Sequence, residues 1–208
     1  RLDMDANLLH YPHFPLVKTK IHEVIDYAEH PSGQNMIVAV MCYDGYNMED
    51  GVILNKGSVE KGLARSTYFR PVGGDGIIYP ESKVDEGDVV IGRTSPPRFL
   101  SSLDEYNLVA SVRRESSISL KHGEGGIADF VILTENEEGN KLIQVRLREE
   151  RITEIGDKFT SRHGQKGVTG ILVNAQDVPF SSSGISPDLI FTPHGISSRM
   201  TISHLIEL

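Results

Sequence analysis

The sequence is poor in the features on which secreted, membrane-spanning and zinc-stabilised proteins depend. Its 208 residues include one cysteine, Cys42, so no disulfide can form within the chain and a structural zinc site is not expected. The longest apolar run, at 36–43, is far shorter than the roughly 20 residues that a helix needs to cross a bilayer. The chain begins at Arg1 and shows no signal peptide. We expect a piece of a longer protein from a reducing compartment.

Basic residues are also scarce, with 21 Lys and Arg against 29 Asp and Glu and a formal net charge of −8. This acidity argues against broad, non-specific binding to nucleic acid, but it permits a local phosphate site. One stretch departs from this excess of acidic over basic residues. Residues 156–170, GDKFTSRHGQKGVTG, hold four glycines, two lysines, an arginine and a histidine, and Asp157 is the one acid among them.

The lysines of this stretch, Lys158 and Lys166, are candidate phosphate ligands. Glycines allow the backbone to approach a ligand closely, a lysine is a point charge suited to phosphate oxygens, and an arginine forms a planar fork. The phosphate-loop pattern G-x-x-x-x-G-K-[ST] is absent, which weakens a nucleotide-triphosphatase interpretation. A solvated surface loop whose charges serve solubility explains the pattern about as well.

Two further segments carry candidate site residues. Glu49 and Asp50 are adjacent carboxylates, and hard oxygen ligands of this kind suit Mg²⁺ if a loop lets both reach the same ion. Arg199 lies near an expected helix start, where Ser197 or Ser198 would cap the helix and backbone N–H groups would complete an anion site. The plain alternatives are an acidic turn and a capped helix with a solvent-exposed arginine.

Strand signals outnumber helix signals, and twenty glycines and ten prolines interrupt the chain often. Apolar runs and alternation predict strands at 36–43, 51–55, 88–94, 128–135, 141–149 and 188–192. Short helices are predicted at 57–65, capped by Ser58, and at 200–208. Gly139 and Asn140 predict a hairpin turn between two strands. The chain is therefore predicted to be mainly β with short helices (α+β).

Several strings, taken in order, resemble one family over nearly the whole chain. The most specific are GDKFTSRHGQKG at 156–167 and PHGISSRMT at 193–201. They resemble the second-largest subunit of archaeal and eukaryotic multisubunit DNA-directed RNA polymerase, with the archaeal form closer. The sequence departs from that family after 68–70, YFR, where the family has a longer insertion and this chain has PVGGDGIIYPES.

The resemblance implies a domain organisation and a set of partners. Residues 1–65 and 153–208 would form a hybrid-binding region that contains a double-psi β-barrel, and residues 66–152 would form an inserted wall domain. The expected partners are the largest polymerase subunit, other polymerase subunits, template DNA, nascent RNA and nucleoside triphosphates (NTPs), with no membrane. The location would be cytoplasmic for an archaeal protein and nuclear for a eukaryotic one.

The resemblance also implies roles for individual residues. Lys158 and Lys166 would lie beside the RNA 3′ end and the incoming nucleotide, and Arg199 would contact the triphosphate. Glu49 and Asp50 would lie near a second, nucleotide-borne Mg²⁺ and act on it indirectly. The further candidate contacts to nucleic acid or nucleotide phosphate are Arg162, His163 and Gln165.

On this interpretation the chain is a fragment of a nucleotidyltransferase and is inactive alone. The catalytic Mg²⁺ would be held mainly by the largest subunit, and no zinc is expected in this segment. Two alternatives stay open. One is a stand-alone Mg²⁺-dependent phosphohydrolase that uses Glu49, Asp50 and the lysine loop, and the other is a non-catalytic, β-rich interaction module.

Overall fold

The computed structural model describes residues 4–74, 77–95, 114–135, 137, 139 and 141–208. Across these residues the chain forms fourteen strands, four short helices and a 3₁₀ turn at Tyr27–Glu29. The strands are β1 (Ala6–Leu9), β2 (Val38–Val40), β3 (Gly51–Asn55), β4 (Ser66–Gly74), β5 (Lys83–Val84), β6 (Val89–Ile91), β7 (Thr94–Ser95), β8 (Arg114–Glu115), β9 (Ile118–Ser119), β10 (Gly126–Glu135), β11 (Lys141–Arg151), β12 (Lys158–Thr160), β13 (Lys166–Val173) and β14 (Leu189–Phe191). The helices are α1 (Lys20–Val24), α2 (Lys56–Glu60), α3 (His194–Arg199) and α4 (Ile202–Glu207). The prediction of a mainly β chain with short helices is confirmed.

The chain divides into two compact units. The first unit consists of the described parts of 1–8 and 67–150, and the second unit consists of 9–66 and 151–208. Each unit is therefore assembled from two separate stretches of the chain. No helix within the described residues is long and apolar enough to cross a membrane.

The first unit is built on a five-stranded sheet in the order β1-β4-β11-β10-β5. Its longest pairing is the antiparallel hairpin of β10 and β11, in which Glu135 lies opposite Lys141. Along β11 the side chains of Ile143, Val145 and Leu147 are buried, because alternate residues of a strand point to the same face. The predicted turn glycine of this hairpin, Gly139, has a φ of +78°, whereas the other predicted turn residue, 140, lies outside the described residues.

The second unit contains a mixed five-stranded sheet in the order β12-β13-β3-β14-β2. β13 runs parallel to β3, and β14 runs parallel to β2 but antiparallel to β3. The central strand β3 is buried from Val52 to Asn55, as expected for an apolar strand that is covered on both faces. The core beside it consists of Ile53, Val173, Val178 and Ile190.

Helix α2 begins earlier and ends earlier than predicted. Its N-cap is Asn55, whose side-chain oxygen accepts a hydrogen bond from the backbone N–H of Gly57 at 3.0 Å. The predicted cap, Ser58, lies inside the helix and donates instead to the Asp188 carboxylate at 2.6 Å. The prediction of Ser58 was wrong because the last residue of β3 already supplies a capping side chain.

Candidate functional site

The predicted cationic loop is a hairpin in the structure. β12 and β13 pair in antiparallel register, with Lys158 opposite Val168 and Thr160 opposite Lys166. Side chains on directly opposed residues share a face, and so do residues two apart on one strand. Lys158 and Lys166 therefore project from the same face of the hairpin, although seven residues separate them in the sequence.

A cavity of about 680 Å³ lies within the second unit beside this hairpin. Its side chains that are charged at neutral pH are Lys158, Arg162, Lys166, Arg199, Asp50 and Glu207. Four basic groups thus face two acidic groups in a chain that is acidic as a whole. The cavity concentrates positive charge at one place.

The two lysines carry most of the uncompensated charge. Both Lys158 and Lys166 are exposed, and among the residues that the structure describes neither ammonium has a hydrogen-bond or ion-pair partner. Two like charges that line one cavity repel each other, so an anion bound between them is stabilised by both. The hairpin therefore offers an anion in the cavity two ammonium donors that have no partner among the described residues.

Arg199 reaches the same cavity from the last turn of α3. Its guanidinium donates from Nη1 to Oε1 of Gln165 at 2.8 Å and from Nη2 to the Asp50 carboxylate. The hydrogen bond to Asp50 raises the pKa of Arg199 above its usual value, so the group stays charged. A Cβ added at Gly195 would lie 3.6–3.8 Å from side-chain atoms of all three residues, which shows how closely they converge.

The helix predicted at 200–208 is present as α4, but the serine caps predicted beside Arg199 are wrong. α3 begins at His194, after Pro193, so Ser197 and Ser198 lie inside the helix rather than at its N-cap. Their hydroxyls donate back to the carbonyl of His194 at 3.2 and 2.8 Å. Arg199 consequently lies at the C-terminal end of α3 and shortly before α4, and the anion site that we expected from helix N–H groups beside it stays a prediction.

The acidic pair lies in a turn before β3, where Glu49 and Asp50 have φ values of +49° and +70°. Because β3 and β13 run parallel with Gly51 opposite Val168, the residues before each strand meet at one edge of the sheet. The amide of Val168 donates to the carbonyl of Asp50 at 3.1 Å. Asp50 lines the cavity, whereas Glu49 is not among its lining residues.

These carboxylates do not build a metal site on their own. Within the described residues no group of three or more His, Cys, Asp or Glu side chains is placed to hold a metal ion. Asp50 is already ion-paired with Arg199. The indirect relation of Glu49 and Asp50 to Mg²⁺ stays a prediction.

The turn with the acidic pair is fixed by buried polar and glycine contacts. Asn47, which is 1% exposed, donates to the carbonyl of Met41 at 2.6 Å and accepts from the amide of Tyr43 at 3.2 Å. A Cβ at Gly167 would lie 2.6 Å from the carbonyl oxygen of Asp50. This glycine was expected to let a ligand approach, but in the structure it lets β13 approach the chain's own turn.

Arg162 and His163 both bind Glu207 of α4 through their side chains. Arg162 also donates to the carbonyl of Val17 at 2.8 Å, and His163 contacts Ser203 at 3.1 Å. Burial by itself raises the pKa of Glu207, but the hydrogen bonds from Arg162 and His163 outweigh it and hold that pKa below its usual range. Their predicted role as phosphate ligands stays a prediction, and it requires this ion pair to open.

The comparisons with known proteins agree with the resemblance seen in the sequence. The chain matches the family described as RNA polymerase Rpb2, domain 6, over residues 1–73 and 68–208. The chain belongs to this family. The two matched ranges overlap at 68–73, beside the stretch after YFR where the sequence departs from the family's pattern.

Individual relatives match the chain from end to end. The chain is 46% identical over 241 aligned residues to the DNA-directed RNA polymerase subunit Rpo2 of Sulfolobus acidocaldarius, covering 100% of this chain and 21% of that protein. It is 40% identical over 242 residues to the DNA-directed RNA polymerase II subunit RPB2 of Schizosaccharomyces pombe, covering 100% and 20%. It is likewise 40% identical over 243 residues to the DNA-directed RNA polymerase II subunit 2 of Arabidopsis thaliana, covering 100% and 20%. The chain spans about a fifth of the length of these curated relatives.

One residue of this Rpb2 domain 6 cavity was missed by the sequence analysis. His204 is 8% exposed and stacks between the rings of His163 and Phe191, at centroid distances of 5.3 and 5.6 Å. Its Nδ1 is buried without a hydrogen-bond partner among the described residues. No sequence signal identifies it, because the stack joins residues of three separate elements.

Burial lowers the pKa of His204 below its ordinary value of 6.5, repulsion from His163 lowers it further, and Glu207 opposes both. A lowered pKa means that the unfolded chain binds a proton more readily than the folded one. The contribution of His204 to stability is thus complete above about pH 6.5 and is lost as the pH falls through the folded-state pKa.

We therefore expect His204→Phe, which keeps an aromatic ring in the stack, to reduce the loss of stability between about pH 7 and pH 5. Hydrogen exchange of the amides in α4 and β14 at both pH values measures this loss. The control His30→Phe changes an exposed histidine and should leave the pH dependence as it is. An undiminished acid sensitivity in His204→Phe would show that another group is responsible.

Proposed function

We propose that this chain is a segment of a DNA-directed RNA polymerase subunit that forms part of the active site. Its cavity would receive the phosphates of the incoming NTP and the 3′ end of the RNA. The observation that carries the proposal is the convergence of Lys158, Lys166 and Arg199 on one cavity. Membership of the Rpb2 domain 6 family and the identity of the relatives as polymerase subunits support the polymerase assignment.

The side chains would act by binding and by charge. Lys158 and Lys166, which have no intramolecular partner among the described residues, would donate to phosphate oxygens and offset the charge that develops on them during transfer. Arg199 would present a planar fork to the triphosphate. Phosphoryl and nucleotidyl transfer ask little covalent chemistry of the protein, so positioning and electrostatic stabilisation would be the main contributions of this segment.

Mg²⁺ would supply further neutralisation of phosphate charge in such a reaction. The described residues of this chain do not offer a ligand set for it. As the resemblance to the polymerase subunit implies, its ligands would lie mainly in the largest subunit. Glu49 and Asp50 would lie near a nucleotide-borne ion and act on it indirectly.

We further propose that residues 1–65 and 153–208, which hold most of the second unit, form the hybrid-binding region with a double-psi β-barrel. Residues 66–152, which hold most of the first unit, would form the wall. Two parallel strand pairs within one mixed sheet, β3 with β13 and β2 with β14, support the barrel assignment. The proposed partners are the largest subunit, other polymerase subunits, template DNA, nascent RNA and NTPs. Large apolar side chains left in solvent, such as Leu16 at 88% and Ile206 at 80% exposure, suit surfaces that other parts of such an enzyme cover.

The alternatives receive less support. A stand-alone phosphohydrolase would need metal ligands of its own, and Asp50 is engaged by Arg199. A pure interaction module gives no reason for two lysines that line one cavity and have no ion-pair partner among the described residues. We expect the isolated chain to show no nucleotidyl transfer.

Arg199→Ala in the assembled polymerase tests the proposed function. Because the substitution removes a charged donor and leaves the Asp50 carboxylate facing the phosphates, we expect the KM for NTP to rise about tenfold. Single-nucleotide addition rates over a range of NTP concentrations measure this. Lys61→Ala, which removes an exposed charge outside the cavity lining, serves as the control and should leave KM at the wild-type value. An unchanged KM in Arg199→Ala would exclude the triphosphate role.

A further inference from the structure

We propose that Gln165 is a positioning residue that sets the direction of the Arg199 guanidinium and does not itself bind phosphate. This inference rests on the function proposed above for Arg199. It replaces the direct phosphate contact that the sequence predicted for Gln165 with an action through its neighbour.

The amide of Gln165 is fully engaged at its donor end. Its Nε2 donates to the carbonyl of Gly195 at 2.9 Å and to Oγ1 of Thr201 at 2.8 Å. A side-chain amide has two N–H donors, so both are used within the protein. Its Oε1 accepts from Nη1 of Arg199 at 2.8 Å.

The partners also fix which way the amide points. The NH₂ end faces the carbonyl oxygen of Gly195, which can only accept a hydrogen bond. The oxygen end faces Arg199, which can only donate. Rotating the amide by half a turn would set donor against donor and acceptor against acceptor. The orientation of Gln165 therefore follows from the chemistry of its neighbours.

These bonds connect the tip of the lysine hairpin to both ends of α3. Gln165 immediately precedes β13, Gly195 lies in the first turn of α3, and Thr201 follows the helix. The hairpin that carries Lys166 and the helix that carries Arg199 are thus held in one relative position. Gln165 couples the two cationic elements of the cavity.

A neutral acceptor is suited to this task. Asp50 also holds the guanidinium, but its charge offsets that of Arg199 and competes with any incoming phosphate. Gln165 holds Nη1 without reducing the positive charge. When a triphosphate takes the place of Asp50 on Nη2, the bond from Nη1 to Gln165 can persist and keep the fork aimed at the ligand.

A double-mutant cycle in the assembled polymerase tests this inference, with Gln165→Ala, Arg199→Ala and the combined variant. We expect Gln165→Ala to raise the KM for NTP about fivefold, which is the effect of losing one hydrogen bond to a charged group. The rate at saturating NTP should stay within about twofold of the wild-type rate. In the Arg199→Ala background the same substitution should have a much smaller effect, limited to what the bonds to Gly195 and Thr201 contribute by holding the hairpin against α3. The control Gln176→Ala, an exposed glutamine outside the cavity lining, should leave KM unchanged.

A second pair of variants leaves Gln165 itself in place. Thr201→Val removes one of the two acceptors that orient the amide, whereas Thr201→Ser keeps a hydroxyl. We expect Thr201→Val to raise the KM for NTP about twofold to threefold and Thr201→Ser to restore it. This pair decides the question if the enzyme with Gln165→Ala does not assemble.

The outcomes separate this inference from the function on which it rests. If Arg199→Ala raises KM but the effect of Gln165→Ala is unchanged in that background, Gln165 does not act through Arg199 and the inference fails alone. An unchanged KM in Gln165→Ala also overturns it. If Arg199→Ala leaves KM unaltered, the proposed function fails and the inference fails with it.

Discussion

Replacing both Lys158 and Lys166 with alanine is expected to slow elongation at sub-saturating NTP by roughly a hundredfold, and Lys166→Ala alone by roughly tenfold. The two ammonium groups share one face of the β12–β13 hairpin and line the same cavity. Neither forms an ion pair with an acid among the described residues, so each ammonium is available to a phosphate. A charge-assisted hydrogen bond is roughly twice as strong as a neutral one, and for this reason the loss should be large.

Single-nucleotide addition by the assembled polymerase measures this effect, with the rate followed as a function of NTP concentration. Lys166→Arg keeps the positive charge but replaces the compact ammonium with a planar guanidinium. It should therefore recover part of the elongation rate that Lys166→Ala loses. Lys61→Ala removes a lysine that does not line the cavity and should behave as wild type. Rates within about twofold of wild type in the double variant would show that the cavity is not a phosphate site.

Gly167→Ala is expected to destabilise the second unit by about 3 kcal/mol, since overpacking of a tight contact forces the backbone to move. An added Cβ would lie 2.6 Å from the carbonyl oxygen of Asp50 and 2.7 Å from Cγ1 of Val52. Both neighbours belong to the turn and strand that carry the acidic side of the cavity. The substitution should therefore separate β13 from β3 at the edge where the site forms.

Hydrogen exchange of the Val168 amide, which donates to the Asp50 carbonyl, reports this local opening. Gly33→Ala is a matched control, because no heavy atom lies within 4 Å of the Cβ it would add. Equal protection of the Val168 amide in wild type and Gly167→Ala would mean that the close approach of strand and turn is not needed for the fold.

The elements that the sequence predicts best are those whose side chains follow a simple pattern. The consecutive apolar residues of β3 predicted a strand at 51–55. In β11 the alternation of apolar and polar residues predicted which side chains are buried. β12 and β13 were missed, because glycines and charges in 156–170 are typical of a loop. Their pairing depends on the contact of β13 with β3, which no local pattern reports.

The site was predictable in its residue types and not in its geometry. The types at Lys158, Lys166 and Arg199 pointed to phosphate chemistry, and the structure places all three around one cavity. What joins Asp50 to the lysine hairpin is the parallel register of β3 and β13, which are more than a hundred residues apart in the chain. Long-range pairing of this kind leaves no periodic signal.

The central claim is that the lysine hairpin lies at the growing end of the transcript. It is tested most directly by binding, in the assembled polymerase, an RNA whose 3′-terminal ribose has been oxidised to a dialdehyde. Borohydride then reduces the imines formed with nearby lysines, and peptide mapping locates the label. We predict label on Lys158 or Lys166. Label confined to lysines outside the cavity, such as Lys56 and Lys61, or absent from this segment, would contradict the account.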